Sequence, residues 1–126
     1  MEFRKKDLYK LWVKIRSQGW KLRGVDEPLM ELEKAGYDSL YSYRFDWDDQ
    51  RKFIVGDFKQ LFGAGHALEI PLLLGDTTLV GGPPISNFMY PRGFSRFYTS
   101  RNMMKFWTNF AKYGKPGKSS NKIEWD

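Results

Sequence analysis

The chain has no cysteine and a single histidine among its 126 residues. The absence of cysteine excludes disulfide frameworks, cysteine nucleophiles and thiolate metal sites. The single histidine, His66, excludes a zinc site built from several histidines, and no metal or other cofactor is expected. No apolar run approaches the roughly 18 residues of a membrane-spanning helix, so no membrane span is expected. Residues 1–14 lack the apolar core of a signal peptide, and the compartment stays open.

The composition that remains is typical of a globular protein. Hydrophobic residues make up 41% of the chain and aromatic residues 17%, which supplies apolar area for a core, and 29% of the residues are charged. We therefore expect a single domain over residues 1–126. The net charge of +6 divides into +6 for residues 1–24, −6 for residues 25–91 and +6 for residues 92–126. Because such a chain can neutralise itself on folding, its charge alone does not indicate a polyanion partner.

An amphipathic helix is predicted near the start of the chain. Its apolar residues recur at spacings of three and four, at Leu8, Leu11, Trp12 and Ile15. A second stripe recurs every four residues, at Lys6, Lys10 and Lys14. Such a stripe usually marks a solvated face, and less often a face toward phosphate or a membrane. A break in the helix is expected around Trp20, between two glycines.

A second, shorter helix is predicted just after this break. Asp26 is expected to cap its start, and Pro28 suits a first helical turn because the missing N–H has no partner there anyway. Gly36 is expected to end it. The alternation of aromatic and polar residues over Leu40–Asp46 then predicts a strand, and Asp48–Arg51 is predicted to form a turn.

The second half of the chain is predicted to end in a long helix. Ile70–Leu74 is expected to form a short helix or a buried extended piece, and Thr77–Gly93 to form a loop. The long helix is predicted over Ser95–Tyr113 and ends at Gly114. One stripe of this helix is expected to be its buried side, at Ser100, Met103, Met104, Trp107, Phe110 and Ala111.

His66 is the candidate acid–base residue, because histidine is the side chain that titrates near neutral pH. It follows Gly63-Ala64-Gly65, where glycines allow a sharp turn and leave the imidazole uncrowded. Glu69 lies three residues further on, so one helical turn would bring it beside His66. Taken alone, a lone histidine of this kind is more often a hydrogen-bonded structural residue.

Three motifs stand in order along the chain and together resemble those of one known family. The first is Tyr43-Arg44-Phe45-Asp46-Trp47, similar to the aromatic strand of that family. The second is Gly63-Ala64-Gly65-His66-Ala67-Leu68-Glu69-Ile70-Pro71-Leu72-Leu73-Leu74-Gly75, similar to its histidine region. The third is Trp107-Thr108-Asn109-Phe110-Ala111-Lys112-Tyr113-Gly114-Lys115-Pro116, similar to its closing helix. The three motifs resemble the carboxylesterase/cholinesterase family, the type-B carboxylesterases. The resemblance covers about residues 20–126; Leu74, Tyr113 and Lys115 depart from the usual residues.

The resemblance implies an α/β fold, namely the C-terminal portion of an α/β hydrolase with few strands, several helices and an incomplete sheet. It implies that His66 is the general base of a Ser–His–acid triad, and that Glu69 orients the loop and is not the triad acid. A salt bridge from Glu69 to a lysine or arginine is an equal alternative. The substrate it implies is a small-molecule ester.

The nucleophile is not found in this sequence. The G-x-S-x-G elbow of α/β hydrolases needs two glycines four residues apart, and no such pair exists here. No segment matches the triad acid or the glycine-rich oxyanion loop either. We therefore expect a C-terminal piece of a carboxylic ester hydrolase that supplies the triad histidine, is inactive alone, and needs the N-terminal part of the same fold as its partner.

Two alternatives remain open on the sequence. The chain could be a non-catalytic family member that acts as a binding or interaction module, because a fold does not impose chemistry. It could also be a small nucleic-acid binder, which requires basic and aromatic residues on one exposed face. Because the C-terminal aromatic residues fall on the apolar stripe of the long helix, the sequence favours a core role for them, and no nucleic-acid partner is expected.

Overall fold

The computed structural model describes residues 6–54 and 56–125 and divides the chain into two compact units, residues 1–42 and residues 43–126. The helices of the described part are α1 (Lys6–Lys21), α2 (Glu27–Lys34), α3 (Phe58–Leu61), α4 (Ile70–Leu73), α5 (Ile85–Met89) and α6 (Phe94–Tyr113). A π-helical segment covers Leu22–Asp26, and a 3-10 turn covers Thr77–Leu79. The extent of a single domain over 1–126 stays a prediction, and its residues 1–5, 55 and 126 lie outside the described part.

The first unit differs from the prediction at the break around Trp20. Helix α1 continues through Gly19 and passes into the π-helical segment, which leads directly into α2. The backbone N–H of Glu27 donates to the carbonyl oxygen of Leu22, five residues back. A widened turn before Pro28 gives its ring room next to the preceding helical carbonyls, so the helix deforms where the sequence predicted it to stop.

The ends of α2 show one wrong and one confirmed prediction. Asp26 makes no side-chain cap, because its own backbone is helical and its carboxylate accepts hydrogen bonds from Lys21 Nζ at 2.6 and 2.7 Å. Gly36 ends the helix as predicted, with φ of 89°. Its N–H donates to Glu33 and that of Tyr37 donates to Leu32, which is the Schellman arrangement that satisfies the last carbonyls.

The predicted strand Leu40–Asp46 is wrong. In the structure, residues 37–51 have no regular secondary structure, and strands β1 (Lys52–Phe53) and β2 (Gly56–Asp57) form an antiparallel pair of two residues each. A strand needs a second strand beside it, and the strands of the described residues, β1 and β2, pair with each other and not with residues 40–46. Few strands and several helices agree with the predicted proportions.

The core of the second unit lies where residues 45–47 meet helices α4, α5 and α6. The buried hydrophobic residues there are Trp47, Leu72, Met89 and Tyr90. The rings of Trp47 and Tyr90 stack with centroids 5.6 Å apart and planes 10° apart. The predicted loop Thr77–Gly93 is wrong over α5, because Met89 and Ser86 of that helix are buried. The short helix at Ile70 is confirmed.

The long helix α6 has the predicted bounds to within one residue, but a different side of it is covered. Met104, Trp107 and Phe110 are 38%, 45% and 46% exposed, so the predicted buried stripe is wrong at these positions. It holds in part at Met103, which packs against the core, and at Ser100, which is half-buried. The adjacent side of α6 makes polar contacts with the chain that follows the helix. Asn109 donates to the carbonyl oxygen of Pro116 at 2.8 Å, and Asn102 accepts from the N–H of Ser120 at 3.1 Å.

Candidate active site

His66 lies in a turn that joins α3 to α4, and its side chain is exposed. The turn covers residues 66–69 and continues into α4, where the N–H of Leu73 donates to the carbonyl oxygen of Glu69 at 2.9 Å. The sharp turn and the uncrowded imidazole that the glycines before His66 predict are confirmed. Its catalytic role stays a prediction.

The glycine before His66 has a structural requirement. A Cβ added to Gly65 would lie 2.9 Å from the carbonyl oxygen of Phe62, which is closer than real Cβ atoms approach. Two neighbours adopt the left-handed region, Gly63 with φ of 50° and Ala67 with φ of 67°. Alanine is strained in that region, so contacts elsewhere in the turn must stabilise this conformation.

Three side chains supply these contacts by donating hydrogen bonds to backbone carbonyls around the turn. Gln50 Nε2 donates to Gly63 at 2.6 Å, on the N-terminal side of His66. The Tyr90 hydroxyl donates to Leu68 at 3.0 Å, on its C-terminal side. The Ser100 hydroxyl donates to Leu72 in α4 at 2.6 Å. We call Gln50, Tyr90 and Ser100 the three clamp residues.

Sequence reasoning missed this role for all three clamp residues. Gln50 was assigned to a turn, Tyr90 to a loop, and Ser100 to an apolar stripe. Burial distinguishes two of them, since Tyr90 is 0% and Gln50 6% exposed, whereas Ser100 is half-buried. A serine inside an otherwise apolar helical stripe was the one available signal, because a buried hydroxyl needs a partner.

The second candidate residue, Glu69, is half-buried near two tyrosines. Burial, followed by the negative charge of Glu69, raises the pKa of Tyr90 to about 12. The same two causes raise the pKa of Tyr43. Among the described residues, no lysine or arginine forms an ion pair with Glu69, which removes the support for the salt-bridge alternative within that part of the chain.

Two further hydrogen bonds connect the start of α6 to residues near the histidine turn. Arg96 donates from its guanidinium to the carbonyl oxygen of Tyr90 at 3.0 Å, and Trp47 donates from its indole to the Ser95 hydroxyl at 2.9 Å. The first bond joins the start of α6 to Tyr90, and the second joins it to Trp47, whose ring stacks on that of Tyr90. Within the described ranges, no three acidic or histidine side chains come together as a metal site would require.

The sequence was also compared with known proteins. Neither a curated protein nor a solved structure gives a significant match. The model of the Carboxylesterase family matches residues 28–126, which includes the histidine turn, the three clamp residues and the whole of α6. None of the helices in the described residues is long and apolar enough to cross a membrane. The match over most of the chain, on the segment that holds His66, shows that this chain belongs to the carboxylesterase family.

Proposed function

We propose that this chain supplies the general base, His66, to the Ser–His–acid triad of an α/β-hydrolase-type serine esterase. The serine and the acid would come from a segment outside these 126 residues, because the sequence contains no G-x-S-x-G elbow. The observation that carries the proposal is the exposed imidazole on a turn that the clamp residues hold at one carbonyl within it and at one on either side.

A general base must be positioned before its basicity matters. In the proposed reaction, His66 takes the proton of the serine hydroxyl as that oxygen attacks the ester carbonyl. It then returns the proton to the leaving alcohol. A misplacement of about 1 Å can cost on the order of 100-fold in rate, so a turn fixed from both sides suits this role.

Glu69 is proposed to orient the turn and not to serve as the triad acid. Its backbone carbonyl accepts the α4 hydrogen bond from Leu73, and its carboxylate lies close enough to affect the pKa of Tyr43 and Tyr90. A residue in this place acts on His66 through the turn. Its loss should therefore lower activity less than the loss of His66.

The chain alone is expected to be inactive toward esters. A histidine without its serine can act as a base on water, which supplies roughly 10²–10⁴-fold. Enzymes of this kind accelerate their reactions by about 10⁶-fold or more. Each missing oxyanion donor costs a further 10²–10³-fold or so.

The test uses a p-nitrophenyl acyl ester and the purified chain, alone and mixed with the serine-bearing N-terminal part of a carboxylesterase. We expect no turnover by the chain alone and saturable turnover in the mixture. His66→Ala should abolish that turnover, while Glu69→Gln should reduce it and leave part of it.

Each other result has a defined meaning. Saturable turnover by the chain alone that depends on His66 would contradict the need for a second segment. A stable mixture that contains both parts and shows no turnover would instead support the alternative, a non-catalytic family member that acts as a binding or interaction module.

A further inference from the structure

Helix α1 lies before the part of the chain that matches the family model, and the proposed function does not use it. No side chain described between residues 7 and 42 is buried. Four apolar side chains of α1 are more than half exposed: Leu8 57%, Leu11 53%, Trp12 60% and Ile15 59%. At about 100° per residue these four fall within one third of the helix circumference, and we call them the apolar face of α1.

The opposite side of α1 is strongly basic. The helix carries five basic residues and one acidic residue, a net charge of +4. Lys10 and Lys14 lie about 160° around the axis from Trp12, and Lys21 lies with them. Arg16 borders the apolar face, with its guanidinium 5.9 Å from the centre of the Trp12 ring. An apolar face with tryptophan and a lysine-rich opposite face are the features of a helix that lies in a membrane interface.

We propose that α1 binds an anionic lipid surface, lying in its plane with the apolar face toward the acyl chains. Lipid headgroups complement the positive charge, since each lysine or arginine near an anionic bilayer strengthens binding. Tryptophan is favoured at the boundary between headgroups and hydrocarbon, which is where Trp12 would lie. The proposal concerns binding on the surface and is independent of the proposed esterase function.

A second copy of the chain fits the apolar face less well. Leu8 and Ile15 are about 10 Å apart along the axis, so the face is only two turns long. The next position on the same side is Gly19, which has no side chain to insert into a partner helix and nothing within 4 Å of where a Cβ would be. Four side chains fall short of the roughly 800 Å² per partner of a stable interface, and two helices of charge +4 repel.

Nucleic acid also fits less well than lipid. Binding of single strands requires basic and aromatic side chains on the same exposed face, so that bases stack while phosphates are neutralised. On α1, Lys10, Lys14 and Lys21 lie on the side away from Trp12, and Arg16 is the basic residue beside its ring. That separation suits a lipid interface, where charged and apolar groups meet different layers.

The test is sedimentation of the full chain with vesicles, one set of phosphatidylcholine alone and one containing about a third phosphatidylserine. We expect binding to the anionic vesicles that weakens as salt rises from about 0.1 M to about 1 M. Leu11→Gln combined with Ile15→Gln should weaken it by about tenfold or more without changing charge. Lys10→Gln combined with Lys14→Gln should weaken it by about tenfold.

Ser17→Gln is the matched control, because it places the same side chain on the basic side of α1 and should leave binding unchanged. Circular dichroism of each variant establishes that the helix is retained. Three results would overturn the proposal: equal binding to both vesicle types, binding that is insensitive to Leu11→Gln with Ile15→Gln, or a dimer by light scattering that these two substitutions dissociate. Preferential binding of a single-stranded oligonucleotide through the lysines would overturn it as well.

Discussion

Gly65 lies directly before His66 and has almost no space for a side chain. Alanine there would place its Cβ 2.9 Å from the backbone oxygen of Phe62, which cannot move without altering the turn. We expect Gly65→Ala to lower the free energy of unfolding by about 1–3 kcal/mol, measured by chemical denaturation.

Gly93→Ala is the control for this substitution. Gly93 has an extended backbone with φ of 168°, which any residue adopts, and nothing lies within 4 Å of an added Cβ. Its effect should stay within about 0.5 kcal/mol. Equal effects of the two substitutions would contradict this explanation, because only Gly65 lies too close to a backbone oxygen for a Cβ.

Tyr90 connects the histidine turn to the core, and its ionisation should be visible in the pH dependence of stability. Its pKa is raised from 10.0 to about 12, first by burial and then by Glu69. Between these two values the unfolded chain loses the hydroxyl proton while the folded chain keeps it. The contribution of Tyr90 is therefore complete below about pH 10 and is lost as the pH rises toward 12.

We expect Tyr90→Phe to lose this part of the alkaline fall in stability, measured by denaturant titrations at several pH values. Near neutral pH the same variant should be less stable by about 0.5–1.5 kcal/mol, because it loses the hydrogen bond to Leu68. Tyr113→Phe, which changes a tyrosine that is 70% exposed, is the control. An unchanged alkaline fall in Tyr90→Phe would contradict the assignment.

At the scale of elements, α4 contributes more to stability than the outer side of α6. Leu72 of α4 is completely buried, whereas Trp107 of α6 is 45% exposed. The Trp107 ring packs edge-on against that of Tyr43, with ring centroids 6.1 Å apart. We expect Leu72→Ala to cost about 2–5 kcal/mol, because it leaves a cavity in the core. Trp107→Ala should cost less than Leu72→Ala, because almost half of the Trp107 side chain is already exposed in the folded chain.

Thermal and chemical unfolding of both variants would test this ranking. A cost for Trp107→Ala of about 3–5 kcal/mol would mean that this side of α6 is packed in solution. The sequence pattern predicted such packing and the structure does not contain it, so the measured cost decides between the two.

At the scale of the whole molecule, buried side chains are found in one of the two units. All of the buried hydrophobic residues of the described chain, such as Trp47 and Met89, belong to residues 43–126. Local openings cost the least where few apolar contacts are lost. We expect amide hydrogens of α1 to exchange much faster than those of Tyr90 and Leu73, measured by native-state hydrogen exchange.

The comparison should be made in the absence of lipid. Equal protection of α1 and of the core amides would show that residues 7–34 are covered by protein in solution. Added anionic vesicles should slow exchange in α1 alone if the helix binds as proposed.

Local features of the fold were predictable from the sequence. The end of α2 at Gly36, the long helix up to Gly114 and the exposed position of His66 depend on neighbouring residues and on glycine's access to positive φ. The family was also predictable, because its motifs are recognised from the order of residues in the sequence and do not require knowledge of their contacts.

Only the tertiary structure decided which residues support the candidate site and which sides of the helices are covered. Tyr90 reaches a carbonyl 22 positions away and Ser100 one that is 28 positions away, and no periodic pattern encodes such pairs. The strand predicted at Leu40–Asp46 failed for the same reason, because a strand requires a hydrogen-bonding neighbour supplied by distant chain. The sequence by itself determined the end of α2 at Gly36 and the long helix α6, because helix termination depends on local backbone preferences, and it determined the family through its motif residues. The contacts across the chain determined the core and the position of the histidine turn.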